Sequence, residues 1–142
     1  MKKIIFILTV TLFFSCKQEP KKQDCDILKH GTFDVYQKDQ KVGTVYRKDS
    51  LQVETYVGKK ITGLTKVKKI SKCQYIMRSY WVKKDLDTMN FTINYFMKGN
   101  NEIDYEMSPT YVKTEAILRG KIVKVSDSIR ADILQKLFFS FI

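Results

Sequence analysis

Apolar and polar residues alternate at every second position through most of the chain between Gly31 and Val125. The clearest apolar face comprises Met89, Phe91, Ile93, Tyr95 and Met97. Successive side chains of an extended chain point to opposite faces, so this period predicts half-buried antiparallel strands. Turn-forming stretches such as Gly58-Lys59-Lys60 and Gly99-Asn100-Asn101 divide the region into about eight short strands. In the last strand the apolar side could be Ala116, Leu118 and Ile122 or Ile117, Val123 and Val125, so both faces of this strand could be covered.

The period changes after Ser126. Apolar residues then recur three, four or seven positions apart, at Ile129, Ile133, Leu134, Leu137, Phe138 and Phe141. This spacing predicts one amphipathic helix at about residues 128–140, with Asp127 or Ser128 capping its first turn. We therefore predict an all-β domain, in which an antiparallel meander of about eight strands forms a small barrel or a strongly curved sheet. Closing the meander into a barrel would remove its exposed edges.

The first sixteen residues, MKKIIFILTVTLFFSC, predict export. A basic start, an apolar run of roughly a dozen residues and a small residue before Cys16 are typical of a secretory signal peptide. The run is shorter than the ~20 residues that a membrane-spanning helix needs. The ending resembles a bacterial lipoprotein signal, in which the cysteine becomes the first mature residue and carries a lipid. Palmitate is one of the acyl groups expected in that lipid. That motif prefers leucine before two small residues, whereas this chain has Phe13 and Phe14.

These features divide the chain into a signal peptide at residues 1–15, a lipidated N-terminus and flexible tether at 16–24, and one β-rich domain at 25–142. The expected location is a bacterial cell envelope, anchored to a membrane and facing the periplasm or the cell surface. Without Lys2 and Lys3, 24 basic residues stand against 15 acidic ones, a net charge of +9. A basic protein outside the cytoplasm would meet anionic lipids or glycans and no nucleic acid.

The chain has three cysteines, and lipidation of Cys16 would leave Cys25 and Cys73 as an even pair. An oxidising compartment would join them, and closing this loop would stabilise the fold by about 4 kcal/mol. Two free buried thiols are the alternative. A metal site is not expected, because His30 is the only histidine and Cys-x-x-Cys is absent. The sequence also indicates no cofactor.

Charge is unevenly distributed along the chain. Residues 55–84 contain nine basic residues and no acidic one, whereas residues 85–106 contain Asp85, Asp87, Glu102, Asp104 and Glu106 against a single lysine. Neutralisation between neighbouring strands is one interpretation. The other is a basic patch that binds phosphate head groups or another anion, with Lys66, Lys68 and Lys69 as its candidate residues.

No catalytic residues are assigned. A serine or cysteine nucleophile needs an adjacent base, and the only histidine lies alone at a strand start. Glu102, Asp104 and Glu106 would lie about 7 Å apart along one strand face, too far apart to form a calcium site alone. The candidate apolar pocket comprises Trp81, Phe91, Ile93, Tyr95, Met97 and Tyr105. The neighbouring aromatic residues Tyr75, Tyr80 and Trp81 could line a pocket or stack on sugars, and core packing is the alternative role for them.

Two resemblances bear on the fold. A barrel followed by a C-terminal helix, opened by Gly31-Thr32-Phe33, resembles a lipocalin-type plan, although that family has tryptophan in place of Phe33. The stretches Cys25 to Phe33, Arg47 to Glu54 and Val67 to Tyr75 resemble a group of small exported bacterial proteins with no assigned activity. The second resemblance implies that Cys25 and Cys73 belong together. Some members of that group carry a topoisomerase label, which the small size and the absence of a nucleotide-binding loop argue against.

Three functions remain open at this point. The first is a lipid-anchored binding or accessory module of the cell envelope, acting without catalysis. The second is a lipocalin-like carrier of a small apolar ligand, for which an enclosed apolar cavity of at least ~300 Å³ would speak. The third is a hydrolase of envelope glycans using the acids between Asp85 and Glu106.

Overall fold

The chain folds into a closed barrel of eight antiparallel strands in meander order, followed by one short helix. The computed structural model describes residues 25–59, 62–80, 90–110 and 116–139. The predicted signal peptide, Cys16 and the tether lie outside the described residues. The strands are β1 (His30–Gln37), β2 (Gln40–Lys48), β3 (Leu51–Tyr56), β4 (Thr62–Lys69), β5 (Gln74–Tyr80), β6 (Asn90–Met97), β7 (Glu102–Pro109) and β8 (Leu118–Ser126). The fold class predicted from the alternation is confirmed.

Pairing of the first strand with the last closes the barrel. In β1, Phe33 lies opposite Val45 of β2 and opposite Lys124 of β8. Alternate residues of every strand face the interior, including Phe33, Ile93, Ile103 and Ile122, all of which are buried. Of the two open choices for β8, the interior face is therefore the one that contains Leu118 and Ile122, while Val125 is exposed.

A 3₁₀ helix at Asp26–Lys29 closes one end of the barrel. Its Leu28 is fully buried and packs with Phe33 in the interior cluster. The backbone N–H of Asp49 donates to the carbonyl of Lys29 at 2.9 Å, which ties the 3₁₀ helix to the β2–β3 turn. Lys124 Nζ donates to the carbonyl of Ile27 at 3.2 Å and lies 5.7 Å from the centre of the Phe33 ring. The interior is therefore sealed from this side.

The disulfide between Cys25 and Cys73 reinforces the closed end. Cys25 immediately precedes the 3₁₀ helix, and Cys73 immediately precedes β5. Their Cα atoms are 5.3 Å apart. The predicted pairing is confirmed, and it fixes the 3₁₀ helix to the connection between β4 and β5.

The helix α1 (Ala131–Phe139) packs against the outer surface of the barrel, over β2, β3 and β4. The contact is an apolar cluster made of Tyr46, Val53, Ile129 and Ile133, with Leu51, Leu64 and Leu134 at its edge. Among the described residues, no helix is both long enough and apolar enough to cross a bilayer. The cluster explains why apolar residues occur on the outer face of β3.

The helix begins later than the sequence predicts, so the prediction that Asp127 or Ser128 caps it is wrong. Asp127 forms an ion pair with Lys124 at 2.6 Å, and Ser128 accepts a hydrogen bond from Thr32 through its carbonyl. Both residues are thereby held in the connection that follows β8. Helical hydrogen bonding starts at the carbonyl of Arg130.

Candidate functional site: the barrel cavity

The barrel interior contains a cavity of about 250 Å³. Its wall is largely apolar and includes Val35, Val45, Ile93, Tyr95, Tyr105 and Ile122. The lining extends to Gln37, Val42, Tyr56 and Leu118, which are at strand ends opposite the 3₁₀ helix. The cavity therefore extends from the closed end of the barrel to these strand ends, which we call its mouth. Residues 60–61, 81–89 and 111–115, in the connections at this end, lie outside the described residues.

The position of the Tyr105 side chain depends on one small residue in β8. Gly120 lies directly opposite Tyr105 of β7. A methyl group on Gly120 would lie 2.6 Å from the Tyr105 hydroxyl oxygen. The Tyr105 ring can therefore lie across the neighbouring strand, where it forms part of the wall near the mouth.

A buried arginine forms the lower part of the wall. Arg47 is only 2% exposed, and its Nε donates to Gln52 Oε1 at 2.8 Å. Its terminal nitrogens donate to the carbonyl of Leu28 at 3.3 Å and to the hydroxyl of Tyr95 at 3.1 Å. The rings of Tyr75 and Tyr95 lie 5.7 and 5.8 Å from its central carbon. The guanidinium group is therefore held by oxygen atoms and aromatic faces on several sides.

A carboxylate lies next along the wall, on the mouth side of this arginine. Glu54 accepts hydrogen bonds from Gln52 Nε2 at 2.6 Å, from the Tyr56 hydroxyl at 2.6 Å and from the Thr65 hydroxyl at 3.0 Å. Gln52 thus connects the two charged groups, since its oxygen faces Arg47 and its nitrogen faces Glu54. The result is a polar network along one side of an otherwise apolar cavity.

Three tyrosines that face the interior have a raised pKa, and burial is the main cause in each. Burial raises the pKa of Tyr56, and the charge of Glu54 and its hydrogen bond raise it further. Burial also raises the pKa of Tyr105, where a hydrogen bond with Gln37 opposes the shift. For Tyr75 the nearby Lys69 and Arg47 oppose the effect of burial on the pKa. All three phenols are therefore held in the neutral form.

The structure brings together only part of the pocket predicted from the sequence. Ile93, Tyr95 and Tyr105 line the cavity. Phe91 and Met97 lie on the same face of β6 but do not line the cavity, and Met97 packs against the interior cluster instead. Trp81 lies outside the described residues.

The polar network was not predicted from the sequence. One face of β3 carries Gln52, Glu54 and Tyr56, and the other carries Leu51, Val53 and Thr55. The more apolar of two such faces usually points into the core. Here α1 covers Leu51 and Val53 from outside, so the polar face of β3 turns inward. The only signal in the sequence was the amphipathic helix predicted after the last strand, because such a helix could cover the outer face of a strand.

The three lysines of the predicted anion site do not lie on one surface. Lys69 forms an ion pair with Asp26 of the 3₁₀ helix at 2.8 Å, and this contact lowers the pKa of that carboxyl. Lys66 and Lys68 are exposed on the outer face of β4, and Lys66 lies opposite Arg78 of β5. Anion binding by Lys66 and Lys68 stays a prediction, with Lys69 engaged at the closed end.

The described acidic residues of β7 lie on the outside of the barrel and are paired. Glu106 contacts Arg119 at 2.7 Å, Asp104 contacts Lys98 at 3.3 Å, and Glu102 contacts Lys121 at 3.6 Å. Charge is therefore neutralised between adjacent strands, as one interpretation proposed, but the basic partners come from β8 and the β6–β7 turn. Asp85 and Asp87 lie outside the described residues.

His30 and the remaining polar groups do not form a further site in the described part of the chain. His30 is exposed at the start of β1. Within residues 25–59, 62–80, 90–110 and 116–139, no group of three histidine, cysteine or acidic residues could hold a metal ion. The cavity is thus the strongest candidate site.

Comparison with known proteins gives no assignment, since no protein-family model, curated protein or solved structure matches this chain.

Proposed function

We propose that this protein is a non-catalytic binding protein of a bacterial cell envelope, tethered by lipid on Cys16, whose barrel holds a small ligand. The cavity is the observation that carries the proposal. It extends from the closed end of the barrel to the opposite strand ends, and in its wall a few polar groups converge on a mainly apolar surface. This composition is typical of sites for small molecules.

The volume limits the size of the ligand. At about 250 Å³ the cavity is below the ~300 Å³ expected for carriers of larger apolar ligands. A liquid water molecule occupies roughly 30 Å³, so the cavity is about eight times that size. Because bonded atoms are closer together than separate water molecules, this volume suits one aromatic ring with a short polar chain. The polar network of Arg47, Gln52 and Glu54 further favours an amphiphile over a hydrocarbon.

The exposed side chains at the mouth of the cavity are compatible with entry of such a molecule. Leu118, which lines the mouth, is 41% exposed, and Val57 in the neighbouring turn is 61% exposed. Both are apolar and lie at the end opposite the 3₁₀ helix. An amphiphile entering with its polar group first would move past these side chains and reach Glu54.

Ligand-observed NMR with 2-phenylethanol, a neutral amphiphile of suitable size, tests the proposal on the folded mature chain. We expect saturation transfer from the protein to this compound and loss of the signal in V35F, because the added ring would fill the cavity. V123F is the matched control, since Val123 lies on β8 on the face that points away from the interior. It should keep the signal.

Two outcomes would contradict a binding role for the cavity. One is equal transfer to the wild type and to folded V35F, which would place the compound elsewhere on the surface. The other is no transfer to the wild type at all, which would leave an accessory role exerted through the outer surface.

A further inference from the structure

We infer that the cavity selects small organic cations, with Glu54 as the group that binds an ammonium head. This inference rests on the proposed function and gives it a ligand class. It follows from a difference between the two charged residues of the wall: Arg47 is fully buried among its partners, whereas Glu54 is only partly buried beside the cavity.

Arg47 has little capacity left for an anionic ligand. A guanidinium group has five N–H donors. Four of its contacts go to oxygen atoms: two to Gln52 and one each to Leu28 and Tyr95. Its side chain is 2% exposed and lies beside two aromatic rings. An anion in the cavity would have to displace these partners before reaching the charge.

Glu54 is in the opposite position. It lines the cavity and accepts three hydrogen bonds, from Gln52, Tyr56 and Thr65, all from uncharged groups. Among the ion pairs of the described residues, none includes Glu54. A carboxylate has about four acceptor positions, so one remains. Glu54 is connected to the charge of Arg47 through Gln52, and an ammonium group in the cavity would give the carboxylate a direct ion pair.

The surroundings of Glu54 also favour a cation. The rings of Tyr56, Tyr95 and Tyr105 line the same cavity, and aromatic faces attract ammonium groups. After burial, the charge of Glu54 is the next cause of the raised pKa of Tyr56, and for Tyr105 it is a smaller cause, behind burial and Tyr95. The negative charge of this carboxylate therefore acts on both tyrosines of the cavity wall.

Isothermal titration calorimetry with three matched compounds tests the inference on the mature folded chain. The compounds are 2-phenylethylamine, 2-phenylethanol and phenylacetate, which share a phenyl body and differ in head group. At pH 7 the amine should bind at least tenfold more tightly than the alcohol, and phenylacetate more weakly than both. In E54Q the affinity for the amine should fall at least tenfold, while the affinity for the alcohol should change less than twofold.

Glu106→Gln provides the matched control, since Glu106 is on the outer face of β7 and pairs with Arg119. It should leave all three affinities unchanged. Binding of the alcohol to E54Q shows that this variant is folded, and the head-group comparison in the wild type does not need the variant. Equal affinity for amine and alcohol, or preference for phenylacetate, would overturn the cation inference and leave the cavity as a binding site. No binding of any compound would overturn the proposed function as well.

Discussion

The interior of the barrel shows what residue-level patterns do and do not predict. Alternation indicates which residues of a strand share a face, and the structure confirms this for Ile93 and Tyr95 of β6. It does not indicate which face turns inward, because that depends on what covers the outside. In β3 the fully polar pair of Gln52 and Glu54 is inside, stabilised by Arg47 from the neighbouring strand. No local rule joins these residues, since the contact depends on strand register.

Tyr56 gives a prediction about alkaline stability. Burial and Glu54 raise the pKa of Tyr56 above its ordinary value near 10, so the folded state retains its proton where the unfolded state loses it. Stability is therefore complete below about pH 10 and falls as the pH rises further. Because Tyr56 is partly exposed, its share of the slope should stay under about 1 kcal/mol per pH unit.

Urea unfolding of the wild type and Y56F between pH 8 and pH 11 measures this contribution. Y56F should be the less stable protein at pH 8, because it lacks the hydrogen bond to Glu54, and the difference should shrink above pH 10. Tyr36→Phe is the control, because Tyr36 lies on the outer face beside Lys121. A constant difference between wild type and Y56F over the whole range would show that the Tyr56 proton is not linked to folding.

At the scale of elements, the sequence predicted the number and order of the strands and the presence of one terminal helix. The alternation was informative because each strand has one interior face, whatever the residues on the other. The start of α1 was missed by about three residues because Asp127, a good capping residue, is engaged by Lys124. Lys124 and Asp127 are three positions apart, so the local sequence contained both partners, but it did not indicate whether Asp127 would pair with Lys124 or cap the helix.

Helix α1 should contribute substantially to stability, because it covers the apolar outer face of β3. Ile133 is 3% exposed and packs with Val53 and Tyr46. Replacing it with alanine should lower the free energy of unfolding by about 2–4 kcal/mol. The exposed neighbour Gln135 is the control, and its replacement by alanine should change the free energy by less than about 0.5 kcal/mol. A loss below 1 kcal/mol for I133A, measured by urea unfolding, would mean that α1 does not stabilise the barrel.

For the whole molecule, closure has two independent parts. The β1–β8 pairing closes the wall, and the 3₁₀ helix with the Cys25–Cys73 disulfide closes one end. Only the cysteine pair could be predicted from the sequence as a pair. The closed end is the bottom of the cavity because of the strand order. Cys25, the β2–β3 turn and the β4–β5 connection all belong to this end of the meander. The mouth is consequently remote from the N-terminus of the domain.

This arrangement gives the proposed anchor a defined geometry. Eight residues lie between Cys16 and Cys25 at the closed end, so the two cysteines can be roughly 30 Å apart at full extension. A lipid on Cys16 would hold that end near the bilayer and leave the mouth on the side that faces away from it.

We expect C16S to lose the acyl mass and move from the membrane fraction to the soluble envelope fraction, with 2-phenylethanol binding unchanged. The double variant C25S/C73S should stay with the membrane but unfold more easily. Wild-type protein that is soluble and retains Met1 would exclude the anchor, whereas loss of ligand binding in C16S would make the membrane part of the binding site.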